Sequence, residues 1–243
     1  MTAPDTVVVT RPRGQETGMM RAVEDAGFRA MHLPALRIEP LALEAQARNR
    51  LMDLDQYRAV IFASANAVRL GLEALEHYWP QWPTGVDWIG VGEATARALR
   101  AEGLPARVPD QGFNSEAVLA LPGLQELTEC KVLLLRGEGG RGLMEKTLSE
   151  RGADVHAVPL YRRQCDDNTA WPDTEVLAVL VTSVESWQCL RQRAPLPLPD
   201  TAVIAGSERI AEAVRADGVA RVAAAASPRD EDMLECLKTL LNR

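Results

Sequence analysis

The sequence predicts an α/β protein of two similar domains, each a doubly wound parallel sheet, with one domain inserted into the other. Three observations predict it. Long stretches of the chain repeat; short apolar runs alternate with amphipathic helical stretches; and the repeated pieces come in an order that insertion explains. The 243 residues leave room for two domains of roughly half that length, near the common domain size. An apolar content of 47% is enough to build a core in each.

The stretch VVVTRPRGQETGMMRAVEDAGFRAMHLPALR reads as a buried strand, a glycine-containing turn and an amphipathic helix. A C-cap glycine at Gly27 and a second strand ending near Pro34 follow. Shifted by 125 residues, it lies without a gap over KVLLLRGEGGRGLMEKTLSERGADVHAVPLYRR. Arg11 then meets Arg136, Gly14 meets Gly139, Gly27 meets Gly152 and Pro34 meets Pro159. Between the copies, AVIFASANAVRLGLEAL predicts a strand and a helix with Ala67, Val68, Gly71, Leu72 and Leu75 on one face. WIGVGEATARALRAEGLPARVP predicts a further strand, turn and helix, closed at Gly103.

Both of these recur near the end of the chain. AVLVTSVESWQCL places Ser183 over Ser64, and AVIAGSERIAEAVRADGVARVAAA places Glu208 over Glu93 and Gly218 over Gly103. Ser227-Pro228 opens a last helix that carries Met233, Leu234, Leu237 and Leu241. The strand segments are continuous apolar runs rather than alternating ones, as expected when helices cover both faces of a sheet.

One strand–helix–strand piece opens the chain, and its copy comes only after a strand–helix–strand–helix block. Domain one is therefore expected at 1–36 plus 166–243, and domain two at 40–160. Residues 35–40 and 160–165 are the expected hinge segments, and Tyr161, one of three tyrosines, falls on the second. A cleft between two lobes is the expected place for a ligand.

Composition excludes several functions. A net charge of −7 lacks the basic footprint of general nucleic-acid binding. It does not exclude an anionic ligand, because screening over about 8 Å makes nearby donors outweigh distant charge. The apolar runs fall short of the roughly 20 residues that cross a bilayer, and the start of the chain shows no basic region followed by a long apolar stretch. Cys130, Cys165, Cys189 and Cys236 have no CxxC spacing, so isolated thiols in a reducing compartment are expected. His32, His77 and His156 have no second ligand at helical spacing, so they are expected to be structural, with no metal site and no cofactor.

Ligands of open parallel sheets bind at the carboxyl ends of the strands. The polar groups expected there are Thr10, Arg11, Ser64, Asn66, Gly92, Thr95, Ser115, Arg136, Gly137, Ser183 and Ser207. Each serine alone reads as a helix N-cap; together they favour an anion-binding cleft. GEGGRG (137–142) lacks the Lys-Ser/Thr of a Walker loop. GVGEAT (90–95), with Asp110 twenty residues on, is a partial dinucleotide fingerprint with Thr95 at the third glycine position. It reads better as a tight strand–helix turn.

With VTRPRGQ, IFASANAV, VGEATARAL, LLRGEGGRG and VPLYRR in this order, the chain resembles the uroporphyrinogen-III synthase family over essentially its full length. The resemblance implies a HemD-like fold of two flavodoxin-like domains joined by a two-stranded ladder. It implies a cofactor-independent, cyclising hydro-lyase of tetrapyrrole (haem, sirohaem, cobalamin) biosynthesis. The substrate would be hydroxymethylbilane, an octacarboxylate linear tetrapyrrole, closed to uroporphyrinogen III with ring D inverted through a spiro intermediate. Tyr161 occupies the position of the family's cleft tyrosine, which assists loss of the terminal hydroxyl. Ser64, Asn66, Thr95, Ser115 and Ser183 fall on positions similar to the family's cleft-lining polar residues. SERIA (207–211) departs from the Thr-Ala pair of many relatives, with Ser207 standing in. A cytoplasmic monomer without nucleic-acid or membrane partners is expected, with a transient contact to the preceding pathway enzyme. The rival classes are a non-enzymatic two-lobed module for small anions and a dinucleotide-binding enzyme.

Overall fold

The computed structural model describes residues 5–109, 112, 114–140, 142–168, 170–193 and 200–241. In chain order the first elements are β1 (Thr6–Val9), α1 (Thr17–Asp25) and β2 (Arg29–His32). The middle of the chain forms β3 (Leu36–Pro40), α2 (Ala45–Met52), β4 (Tyr57–Phe62), α3 (Ala65–Glu76), β5 (Asp87–Gly90), α4 (Glu93–Ala101), α5 (Ser115–Leu119), β6 (Lys131–Gly137), α6 (Leu143–Glu150) and β7 (Asp154–Cys165). The last part forms β8 (Val176–Val181), α7 (Val184–Arg191), β9 (Ala202–Ala205), α8 (Glu208–Ala216), β10 (Val222–Ala224) and α9 (Asp230–Leu240).

The chain divides into an outer unit, Met1–Ile38 with Gln164–Arg243, and an inserted unit, Glu39–Arg163. Only β3 and β7 cross between them. Along these strands Arg37 meets Gln164, Glu39 meets Arg162 and Leu41 N–H donates to Leu160 C=O. One residue number rises as the other falls, which is the pattern of an antiparallel ladder.

The outer unit carries a five-stranded sheet in the order β10-β9-β8-β1-β2, and every pairing in it is parallel. Counted from β1, this is the 2-1-3-4-5 order of doubly wound sheets read in reverse. β8, β9 and β10 are apolar at every position and β1 carries Val7–Val9, as expected where helices cover both faces, whereas the edge strand β2 includes Arg29 and His32. Val7, Val9, Leu180 and Ile204 pack with Met19 of α1 and Met233 and Leu237 of α9. Val8, Val179, Val181 and Val203 pack on the other side with Trp187 and Leu190 of α7 and Ile210 and Val214 of α8.

The inserted unit carries the order β3-β7-β6-β4-β5, with β7, β6, β4 and β5 in parallel register. Counted from β6, these four strands repeat the order of the outer sheet, so this copy is circularly permuted. Arg107 adds a single parallel bridge beside Ile89 where the fifth strand would lie. Ala59, Ile61, Val132 and Leu134 face Val118 and Leu119 of α5 and Met144 and Leu148 of α6. Across the sheet α3 lies unusually close: a Cβ on Gly71 would stand 2.9 Å from Leu135 Cδ1 and 3.1 Å from Phe62 Cε1. Glycine in a helix interior costs about 1 kcal/mol relative to alanine, and the close packing of α3 on the sheet explains its presence.

The cysteine expectation needs correcting. Cys165 and Cys189 form a disulfide with their Cα atoms 5.2 Å apart, while Cys130 and Cys236 are free thiols. No local spacing announces this pair, because β7 ends beside α7 only in the folded outer unit. Two histidines have evident structural partners: the His32 ring contacts Arg11 C=O at 2.8 Å, and His156 Nδ1 contacts the Tyr57 hydroxyl at 2.6 Å. No helix among the described residues is long and apolar enough to cross a membrane.

Candidate functional site

The carboxyl ends of the inserted sheet bring together several of the expected residues. β6 and β7 pair in regular register from Lys131 with Asp154 up to Arg136 with Pro159. The next pair is Gly137 with Tyr161, so Leu160 is an extra residue in β7. Proline has no N–H to give to a ladder, so the pairing breaks easily just after it. Such a bulge turns the following side chain and bends the strand. Its effect is to lay the Tyr161 ring over Gly137, and Glu138 N–H then donates to Tyr161 C=O at 2.6 Å.

Tyr161 is only 1% exposed, and its hydroxyl lies 2.9 Å from Ser64 Oγ. Ser64 is the N-cap of α3: its backbone is extended and its oxygen accepts from Ala67 N–H at 3.1 Å. The strand-end serine and the β7 tyrosine thus form one hydroxyl pair.

Beside this pair is a cavity of about 260 Å³. Ser115, Arg136, Gly137 and Tyr161 line it, together with Arg163, Glu138 and Glu145. Arg136 Nε pairs with Glu145 Oε1 at 2.9 Å. Its Nη1 donates to the carbonyls of Gly137 and Gly139, so the guanidinium folds back over the glycine loop. Gly139 and Gly140 hold φ of 77° and 106°, which side-chain-bearing residues rarely adopt, and this makes the tight fold-back feasible. The Arg163 guanidinium carbon stands 5.9 Å from the centre of the Tyr161 ring, within cation–π range. Two arginines and two glutamates thus line the cavity, with Arg136 already paired to Glu145.

The remaining expected residues are placed differently. Thr95 is buried in the first turn of α4, and Gly92 caps that helix without a side chain. Asn66 lies half-buried in the first turn of α3. In the outer unit, Thr10 is fully buried and its hydroxyl donates to Leu180 C=O at 2.7 Å, so it serves the core. Arg11 is held by Asp230 at 2.6 Å and by Pro228 C=O at 2.8 Å, which ties β1 to the start of α9. Ser183 accepts from Ser186 N–H at 3.0 Å and donates to Ser186 Oγ at 2.8 Å. Ser207 caps α8 with an extended backbone and no side-chain cap bond.

Glu145 and Arg163 were not among the expected site residues. Arg163 had a signal in its nearness to Tyr161. Glu145 had none, since an acid in a first helical turn is ordinary. In the GVGEAT turn, a Cβ on Gly90 would meet Ala96 N at 2.7 Å, so this glycine lets α4 sit against β5. Asp110, the acid of the partial dinucleotide fingerprint, lies outside the described residues. Among the described residues no group of His, Cys, Asp or Glu is arranged to hold a metal ion.

A model of the family described as "Uroporphyrinogen-III synthase HemD" matches residues 18–235. The chain belongs to the uroporphyrinogen-III synthase family. It is 31% identical over 196 residues to the uroporphyrinogen-III synthase of Escherichia coli K12, covering 78% of this chain and 80% of that one. With the Proteus mirabilis enzyme of the same name it shares 34% over 160 residues, 65% of this chain and 79% of that one. Among solved structures, the uroporphyrinogen-III synthetase of Helicobacter pylori 26695 superposes with a TM-score of 0.64 at 18% identity, covering 98% and 99% of the two chains. A mutant uroporphyrinogen III synthase from Thermus thermophilus gives 0.61 at 22% identity, over 98% of each chain. These two likenesses establish the shared fold.

Proposed function

We propose that this protein cyclises hydroxymethylbilane to uroporphyrinogen III, releasing water and inverting ring D, in tetrapyrrole biosynthesis. The observation that carries the reading is the Ser64–Tyr161 hydroxyl pair, 2.9 Å apart, beside a cavity lined by Arg136 and Arg163. A hydroxyl leaving group needs a proton as its C–O bond breaks, and carboxylate arms need cations and N–H donors. This corner of the inserted unit holds both.

The reaction asks for little beyond these. Loss of the hydroxyl from the hydroxymethylpyrrole leaves an azafulvenium cation, stabilised by the pyrrole nitrogen. Attack on it from the substituted carbon of ring D gives a spiro intermediate, which fragments and recloses with the ring turned. Unaided, the bilane closes at the free position, so the protein's task is to choose the conformer, which is a problem of orientation. In this reading Tyr161 is the source of the proton. In the inserted unit Ser64, Asn66, Ser115, Arg136 and Gly137, with Gly92 and Thr95, are the strand-end groups that orient carboxylate arms, and Thr10, Arg11, Ser183 and Ser207 are the corresponding groups of the outer unit. Residues 35–40 and 160–165 act as a hinge.

We assign a cytoplasmic monomer that receives its unstable substrate through transient contact with the enzyme that makes it. The disulfide is the observation to set against that compartment, and counting alkylated thiols in intact cells addresses it. The activity test is incubation with enzymatically generated hydroxymethylbilane, followed by oxidation and chromatographic separation of type I and type III isomers. Type III product is expected. Type I alone, at the uncatalysed rate, overturns the assignment.

A further inference from the structure

Two hydroxyls hold two protons, and the contact between Ser64 and Tyr161 uses one of them. Either hydroxyl could donate across this contact, and the greater acidity of a phenol favours the arrangement in which Tyr161 donates and Ser64 accepts. The Ser64 oxygen also accepts from Ala67 N–H, which occupies its second lone pair. In that arrangement the Ser64 O–H is the donor that neither contact uses.

Tyr161 lines the cavity and Ser64 does not, yet Ser64 is the more exposed residue of the pair. Tyr161 is 1% exposed and its hydroxyl oxygen lies 3.1 Å from where a Cβ of Gly137 would be, whereas Ser64 is half-buried at the strand end. The cap bond fixes the serine oxygen at the N-terminus of α3, a helix of 12 residues. The partial positive charge of a helix N-terminus eases negative charge on that oxygen during proton transfer.

Resting on the bilane-cyclising reading, we propose that Ser64 is the catalytic residue that hands the proton to the departing hydroxyl, with Tyr161 behind it as the proton store. As the C–O bond breaks, its electron pair stays on oxygen, which takes the Ser64 proton and leaves as water. Ser64 takes the Tyr161 proton across the contact, leaving a phenolate. When ring D finally regains aromaticity it releases one proton, which returns to Tyr161 by the reverse route. The enzyme ends as it began.

The test compares kcat, KM, isomer ratio and melting temperature for Ser64→Ala, Ser64→Asn, Ser64→Thr, Tyr161→Phe and the Ser64→Ala/Tyr161→Phe double variant. Asparagine caps a helix as well as serine but cannot pass a proton along. Ser64→Asn should therefore melt like wild type while losing kcat about tenfold to a few hundredfold, the range of one general acid or less. Ser64→Thr keeps the hydroxyl and should recover most of the rate. The double variant should be no slower than the worse single, because the two groups serve one proton path. Full kcat in Ser64→Asn, or losses that multiply in the double variant, would overturn the relay. That outcome leaves the cyclase reading intact, whereas wild-type protein that makes no type III product removes the cyclase reading itself.

Discussion

The Cβ that Gly137 lacks would stand 2.8 Å from both Cε2 and Cζ of the Tyr161 ring. No ordinary carbon contact is that short, so glycine at the end of β6 is a requirement of the tyrosine's seat. The loop conformation does not demand it, because Gly137 is not among the positive-φ glycines. Gly137→Ala should push the ring off its seat and lengthen the contact to Ser64. Overpacking of this kind costs about 1–3 kcal/mol. We expect a lower melting temperature and a kcat that falls more than KM rises. Kinetics and thermal unfolding on the same preparation check this, and wild-type kcat would show that the ring position does not matter.

Tyr161→Phe keeps the ring on Gly137 and removes only the hydroxyl. Here kcat should fall about tenfold to a few hundredfold, with the product remaining type III. Conformer choice rests on many carboxylate contacts rather than on one phenol. Tyr161→Ala should in addition destabilise the inserted unit by about 3–5 kcal/mol, the usual cost of emptying a buried aromatic site. A switch to type I product in Tyr161→Phe would place isomer selectivity on the phenol instead.

At the other end of the same sheet, Tyr57, His156 and Asp154 form a chain, with His156 Nε2 at 3.2 Å from Asp154 Oδ2. Burial is the main cause that pushes the Tyr57 hydroxyl up to about 12. The folded protein thus holds this proton more tightly than the unfolded chain, where tyrosine ionises near 10. The stabilisation is complete below pH about 10 and is lost as pH rises towards about 12. Ultraviolet titration should show a tyrosine step near pH 12, and Tyr57→Phe should remove that step.

Asp217 accepts from Trp187 Nε1 at 2.7 Å and is also held by Arg191, so its carboxyl lies below the usual range, mainly through Arg191. A lowered pKa gives stability that is present above the unfolded value, near 4, and is lost as pH falls through the folded one. Asp217→Asn should therefore be less stable than wild type at pH 7, and the gap should narrow as pH falls below about 4. Denaturant melts on both sides of that pH test this; a gap independent of pH would assign the effect to packing.

The Cys165–Cys189 bond closes a loop of 24 residues in the outer unit. Loop-closure entropy predicts that losing it destabilises the protein by about 3 kcal/mol. Denatured, unreduced protein should react with two equivalents of thiol reagent, at Cys130 and Cys236, and reduction should lower the melting temperature. Four reactive thiols before reduction would mean that the pair is open in the purified protein.

Much of the architecture is determined by the sequence alone, because it depends on local pattern. Val7, Val8 and Val9 form a run apolar at every position, which requires helices on both sides, and the helices before Gly27, Gly103, Gly152 and Gly218 end where a left-handed residue permits it. The overlay of Arg11 on Arg136 and Ser64 on Ser183 marks equivalent strand ends, and their order along the chain marks the insertion. Side-chain partnership follows from no local pattern. Thr10 and Ser64 both stand at strand ends, yet one hydroxyl closes onto Leu180 in the core and the other meets Tyr161. That difference depends on the neighbouring strand and on the extra residue at Leu160, which shifts β7 against β6. The disulfide is of the same kind, since a sequence separation of 24 leaves the approach of Cys165 to Cys189 to the packing of α7 beside the end of β7. Local periodicity sets which elements form and in what order. Register and packing across the sheet, which act between residues far apart in the chain, decide which polar groups meet.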